Sequence, residues 1–148
     1  MGHEERAREL FLEGQNCCQA VLLAFQPELG LETDTLLRLA APFGGGLGGM
    51  RENCGAVSAM LMVMGLLTAT TDFRDTQAKA ALYQRMQQLV AQFEAENGSH
   101  TCRELLGLLK GERPAPSPRT QAYYKARPCV GLVESAARIL DQALEGAL

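Results

Sequence analysis

Apolar residues recur along the chain at steps of three and four. No segment sustains the two-residue alternation of a half-buried strand, so the pattern predicts an all-α fold. Residues 4–13 read as a helix with Ala7, Leu10 and Phe11 on one face, ended by Gly14. Asn16 then caps a second helix, with Gln19 at the capping-box position and Val21, Leu22, Ala24 and Phe25 facing inward, to about Pro27-Glu28. After Gly30, Thr33 or Asp34 caps a short helix carrying Leu36, Leu37, Leu39 and Ala40, which Pro42 stops. A glycine loop follows, Gly44, Gly45, Gly46, Gly48 and Gly49, then the polar step Arg51-Glu52-Asn53. With Asn53 as N-cap, an apolar helix runs from Cys54 to about Thr68 and is expected to be the buried centre of the molecule.

Beyond a polar connection in which Asp72 and Asp75 serve as capping residues, the longest helix spans about residues 76–96. Ala78, Leu82, Met86, Leu89, Val90 and Phe93 mark its face, and Asn97-Gly98 closes it. Thr101 with Glu104 forms a capping-box pattern that opens a helix at Cys102. Residues 111–120, with three prolines, read as an exposed loop, and the last helix runs from Pro128 to about Glu145 with Val130, Val133, Ala137, Leu140 and Leu144 inward. The expectation is a single-domain helical bundle, residues 1–148, of about six to seven helices.

Composition narrows the function. At 148 residues the chain is long enough for a real core, and a formal charge of −3 with a pI near 5.4 gives no reason to expect nucleic acid or an anionic membrane as partner. Residues 1–12 lack the apolar stretch of a secretory signal, and Arg6 stands where a myristoylation site wants Ser or Thr. The apolar run of residues 55–69 falls short of the roughly 20 residues that span a bilayer. The expectation is a cytoplasmic protein without membrane insertion. Met60, Met62 and Met64 cover more than one face of their helix, which fits core packing or a homodimer contact better than a soft-metal stripe.

The chemistry lies in the cysteines. Five of them, Cys17, Cys18, Cys54, Cys102 and Cys129, are an odd number at wide spacing, unlike a secreted disulfide scaffold. There is no C-x-x-C, no C-x-x-C-H for covalent haem and no zinc-finger spacing. Cys17, Cys54, Cys102 and Cys129 each fall in the first turn of a predicted helix, where the dipole and unpaired N–H groups favour thiolate. Thiolates so placed suit dithiol–disulfide exchange, or a metal or iron–sulfur centre. Cys18 points about 100° away from Cys17 on a helix and reads as core filler. The glycine loop could cradle an anion. It lacks the Lys-Ser/Thr ending of a P-loop, and a close backbone approach to the Cys54 sulfur is the better reading. His100, two residues before Cys102, reads as a surface histidine or as a proton carrier near the thiols.

Four segments carry a family resemblance: EGQNCCQAVLLAF, FGGGLGGMRENCGAVSA, NGSHTCRELLG and RPCVGLV. In this order they resemble the C_GCAxxG_C_C family of suspected redox-active proteins, whose four cysteines would be Cys17, Cys54, Cys102 and Cys129. The family's C-G-A-x-x-G ends here in Ala59, which adds a methyl where a helix or cofactor would approach. The resemblance implies a small helical protein with a redox role and an unidentified redox partner, linked to a membrane transporter through neighbouring genes.

Three readings follow. In the first, Cys54 is the attacking thiolate, held by the glycine loop, and Cys17, Cys102 or Cys129 resolves the mixed disulfide. In the second, the four thiolates hold a metal or iron–sulfur cluster for electron transfer, sensing or carriage. In the third, the cysteines are buried filler in a structural or adaptor protein. The first two require folding to gather four distant sulfurs into one electropositive pocket beside the glycine turn.

Overall fold

The computed structural model of the chain describes residues 2–147. Its elements are α1 (His3–Leu12), α2 (Cys17–Ala24), the single turn α3 (Gln26–Leu29), α4 (Thr33–Ala40), a 3-10 turn (Ala41–Phe43), α5 (Gly44–Leu47), α6 (Gly55–Thr68), α7 (Thr76–Asn97), α8 (Cys102–Leu106), α9 (Gln121–Ala126) and α10 (Cys129–Ala147). Among the described residues there is no strand, only one isolated antiparallel bridge between Asn53 and Thr101. None of the described helices is long and apolar enough to cross a membrane.

Local chemistry places most helix ends where the pattern puts them. The Asn16 side chain accepts from the Gln19 N–H at 2.8 Å, and the Gln19 side chain accepts from the Asn16 N–H at 3.0 Å. This reciprocal box fixes Cys17 as the first residue of α2. Asp75 accepts from the Ala78 N–H at 2.9 Å to start α7, and left-handed Gly98 ends it. The Thr101 box does not form. Ser99 Oγ donates to Glu104 at 2.6 Å and accepts from the Thr101 N–H at 3.0 Å, while the Thr101 backbone is drawn into the bridge with Asn53. The sequence pattern also leaves α9 unassigned, because its six residues, QAYYKA, are too short to show a periodicity.

The core forms where α1, α2, α6 and α10 pack together, around fully buried Phe11, Phe25, Leu22, Met60 and Leu140. Helix α6 is central through its first part: residues 55–60 are buried, as are Val63 and Met64, whereas Leu66 near its end is 52% exposed. Helix α7 departs from its amphipathic pattern. Only Leu89 and Phe93 are buried, and its first turns stand clear of the bundle with Tyr83 exposed. The reason is reach: α10 meets α7 only along its later part, where Arg85 donates to the Ala143 carbonyl at 3.2 Å and Asn97 to Ser135 at 2.9 Å. The proline-rich loop of residues 111–120 is exposed except at Arg119, whose guanidinium donates to the carbonyls of Phe11 (3.1 Å) and Gln15 (3.0 Å).

Candidate functional site

Two chain segments far apart in sequence are laced together at one end of the bundle. The Cys54 N–H donates to the His100 carbonyl at 2.8 Å, the Cys102 N–H to the Glu52 carbonyl at 2.6 Å, and the Arg103 N–H to the Arg51 carbonyl at 3.0 Å. This short antiparallel pairing brings Cys54 and Cys102 to the same place. Cys17 arrives from the start of α2, which nearly touches the start of α6. A Cβ at Gly55 would lie 3.0 Å from the Phe43 carbonyl oxygen, 3.1 Å from the Cys18 nitrogen and 3.3 Å from Cys17 Cβ, so the approach needs a residue without a side chain. Cys129 begins α10.

These four cysteines line one cavity of about 60 Å³, together with Gly45, Gly46, Arg51, Arg119, Tyr123 and Arg127 among others. All five thiols are free, and Cys18, fully buried, belongs to the core as its spacing implied. A larger groove of about 540 Å³ between the end of α6 and the start of α7 carries no thiol and no histidine.

Cys17, Cys102 and Cys129 are the first residues of their helices, but Cys54 sits one place earlier, as the N-cap of α6. Asn53 does not cap it, because its side chain donates instead to Ser58 Oγ at 2.8 Å. The expectation that all four thiols ionise readily is overturned by burial. Burial pushes the Cys54 thiol up to about 12, against the N–H groups of Val57 and Ala56, which favour the thiolate. Burial likewise raises Cys102 despite Arg51 Nη1 at 3.8 Å from its sulfur, and raises Cys18 to about 12.

Cys129 alone moves down, to about 7. The neighbouring Cys17 thiol is the first cause, and the guanidinium groups of Arg127, Arg119 and Arg51 add their charge. Cys17 is raised in consequence, first by Cys129 and then by burial. The two thiols therefore titrate as a pair, the first proton leaving more readily than the second.

The glycine loop is tied to itself in part: the Gly48 and Gly49 N–H groups donate to the Gly44 carbonyl, the Arg51 N–H to Gly45 and the Glu52 N–H to Gly46. Only Gly45 and Gly46 reach the cavity, whereas Gly44, Gly48 and Gly49 do not line it. The close approach it permits is to Cys102, not Cys54. A Cβ on Gly46 would lie 2.6 Å from Cys102 Cβ. Ala59 is fully buried in the core and not part of the cavity lining, so its extra methyl does not intrude on the site.

Arg51, Arg119, Arg127 and Tyr123 are cavity residues that the cysteine pattern did not point to. Arg127 precedes Pro128-Cys129 directly, which was a readable signal. Arg51, a left-handed residue (φ 59°) only 5% exposed, was not readable. His100 contributes its carbonyl to Cys54 and turns its ring toward Glu94, with Nδ1 at 3.3 Å from the carboxylate.

The four-thiolate donor set suits a soft metal or iron–sulfur cluster by type. By placement it does not fit, since no group of three His, Cys, Asp or Glu side chains among the described residues is arranged to hold a metal ion.

The buried neutral thiols have a consequence for stability. A thiol whose folded pKa lies above its ordinary value of about 8.5 keeps its proton in the fold and loses it on unfolding. Stability is then lost as pH rises past the ordinary value. For Cys18 and Cys54, each held near 12, the loss by pH 10 is about 1.4–2 kcal/mol per thiol. Cys17 acts in the same direction. Cys129, depressed to about 7, acts in the opposite one and offsets roughly 1 kcal/mol over the same interval. Denaturant unfolding under reductant should show a net loss of about 2 kcal/mol or more between pH 8 and 10. Cys18→Ala should remove part of it, and a flat profile would contradict the burial argument.

A family described as "Putative redox-active protein (C_GCAxxG_C_C)" matches residues 15–143 of the chain. No curated protein and no solved structure matches it.

Proposed function

The chain belongs to the C_GCAxxG_C_C family, and from that premise we propose that it is a dithiol–disulfide exchange protein in which Cys129 attacks and Cys17 resolves. One observation carries the reading: Cys17 and Cys129 line one small cavity with three arginines, whose charge favours thiolate at Cys129.

The exchange balances on these two residues. Cys129 thiolate attacks one sulfur of a disulfide substrate, the substrate S–S bond breaks, and the first half leaves as a thiolate. That thiolate takes the Cys17 proton. Cys17 then attacks Cys129 Sγ, the mixed disulfide breaks, and the second half leaves as a thiolate. One thiolate and one thiol of the protein become a disulfide, and two electrons pass to the substrate, which departs as one thiol and one thiolate. Cys54 and Cys102, protonated on the other walls of the cavity, form a reserve pair that can take over the disulfide.

Limiting 2-hydroxyethyl disulfide, followed by peptide mapping without reduction, tests this assignment. A Cys17–Cys129 link is the expected product. Cys17→Ser should stop the reaction at a mixed disulfide on Cys129, and Cys129→Ser should leave the remaining thiols unreacted on the same timescale. A first adduct on Cys54, Cys102 or Cys18 in the folded protein would refute it.

A further inference from the structure

The cavity carries more positive charge than its thiolate requires. Three guanidinium groups, those of Arg51, Arg119 and Arg127, line it and no carboxylate does. None of the three is in a salt bridge among the described residues. Their hydrogen bonds differ in a telling way. Arg119 donates to the carbonyls of Phe11 and Gln15, with its guanidinium 4.3 Å over the Phe11 ring and 4.9 Å from the Tyr123 ring centre.

Arg51 is 5% exposed and donates from Nη2 to the Pro114 carbonyl at 2.8 Å and from Nη1 toward Cys102 Sγ at 3.8 Å, and its Nε finds no partner. A buried charged donor without an acceptor is costly unless something supplies one. Arg127 is half-buried, rests over the Tyr123 ring at 5.0 Å, and accounts for no hydrogen bond through its guanidinium among the described residues.

We propose that this cavity is a binding site for a small oxyanion, held by the Arg51 and Arg127 guanidinium groups beside the Cys17 and Cys129 sulfurs. The proposal rests on the exchange reading only for what the anion does there: it makes the substrate, or the group that carries the reactive sulfur, a compact anion. Size sets the class. A cavity of about 60 Å³ has room for a compact group of a few heavy atoms, the scale of a small oxyanion. Planar guanidinium forks are the side chains best matched to paired oxygens.

Inorganic sulfate is the probe, because it binds without reacting with thiols. Reduced protein is alkylated with neutral iodoacetamide at pH 7, with chloride replaced stepwise by sulfate at constant ionic strength. An anion seated beside Cys129 disfavours its thiolate, so alkylation should slow saturably, by about fivefold at full occupancy. Arg127→Gln should abolish the saturable component, and Arg127→Lys should keep part of it. Heat of sulfate binding to the unmodified protein gives a second measurement that does not depend on any variant's folding. A rate that tracks ionic strength alone, no binding heat, or equal protection in Arg127→Gln would each overturn the proposal. Sulfate binding is read without any disulfide chemistry, so loss of exchange activity and loss of the anion site are separate outcomes.

Discussion

Iodoacetamide near pH 7 should alkylate Cys129 several hundred times faster than Cys54. The two thiols share one cavity and both are nearly buried, at 8% and 4% exposure, so access alone does not separate them. Ionisation does. With its pKa near 7, Cys129 is about half thiolate, whereas Cys54, near 12, is thiolate in roughly one molecule in 10⁵. The more basic thiolate is the better nucleophile, by about 100- to 300-fold over such a pKa gap, which leaves a net preference of several hundredfold for Cys129. The labelling rate should rise with pH through an inflection near 7 and level off above it. Cys17→Ala, which removes the donor, should move that inflection upward, because the Cys17 side chain is the first cause of the depression. Labelling of Cys54 first, or at a similar rate, would mean that the helix-start effect outweighs burial after all.

That contest explains what the sequence could and could not convey. Caps are local, and Asn16 with Gln19, Asp75 and Gly98 stand where a reading of neighbouring residues puts them. The placing of cysteines at helix starts is local too, and it led to the cavity. Which thiol ionises is not local. It depends on how much solvent each sulfur loses and on which charges the fold brings near.

Cys54 has the helix N–H groups expected of it, yet its burial outweighs them. Cys129 gains from Cys17, more than a hundred residues earlier, and from Arg51 and Arg119, which belong to other segments. The face of α7 shows the same limit from the other side. Its apolar period is readable, but whether a partner helix extends far enough to cover it is decided by the lengths and angles of α6 and α10. Helix α9 was missed because its six residues are too short to show a period, and Arg119 because a proline-rich stretch reads as loop, where a residue shows no sign in sequence of being turned inward.

Gly46→Ala should cost about 3 kcal/mol or more and disorganise the Cys102 side of the cavity. Gly46 has φ +69°, and an L-residue held in this region loses roughly 1–2 kcal/mol. The added Cβ would also lie 2.6 Å from Cys102 Cβ, 2.7 Å from the Glu52 nitrogen and 2.9 Å from the Arg51 carbonyl carbon. Two of these are backbone atoms in the lacing that joins residues 51–54 to residues 100–103, so they cannot swing aside as a side chain would. Forcing them apart adds about 1–3 kcal/mol and stretches the Glu52 N–H bond to the Gly46 carbonyl, which is 2.9 Å.

Gly49→Ala is the matched control. It has φ +81° and nothing within 4 Å of the new methyl, so it should lose the conformational cost alone, about 1–2 kcal/mol. Denaturant midpoints of the two variants separate backbone strain from crowding. Cys102 should also become more open to alkylation in Gly46→Ala and stay unchanged in Gly49→Ala, since only the first moves its Cβ. Equal stability of the two would show that the loop yields freely around Gly46. The glycine run would then be a flexible connection, not the wedge space that lets Cys102 meet the other three sulfurs.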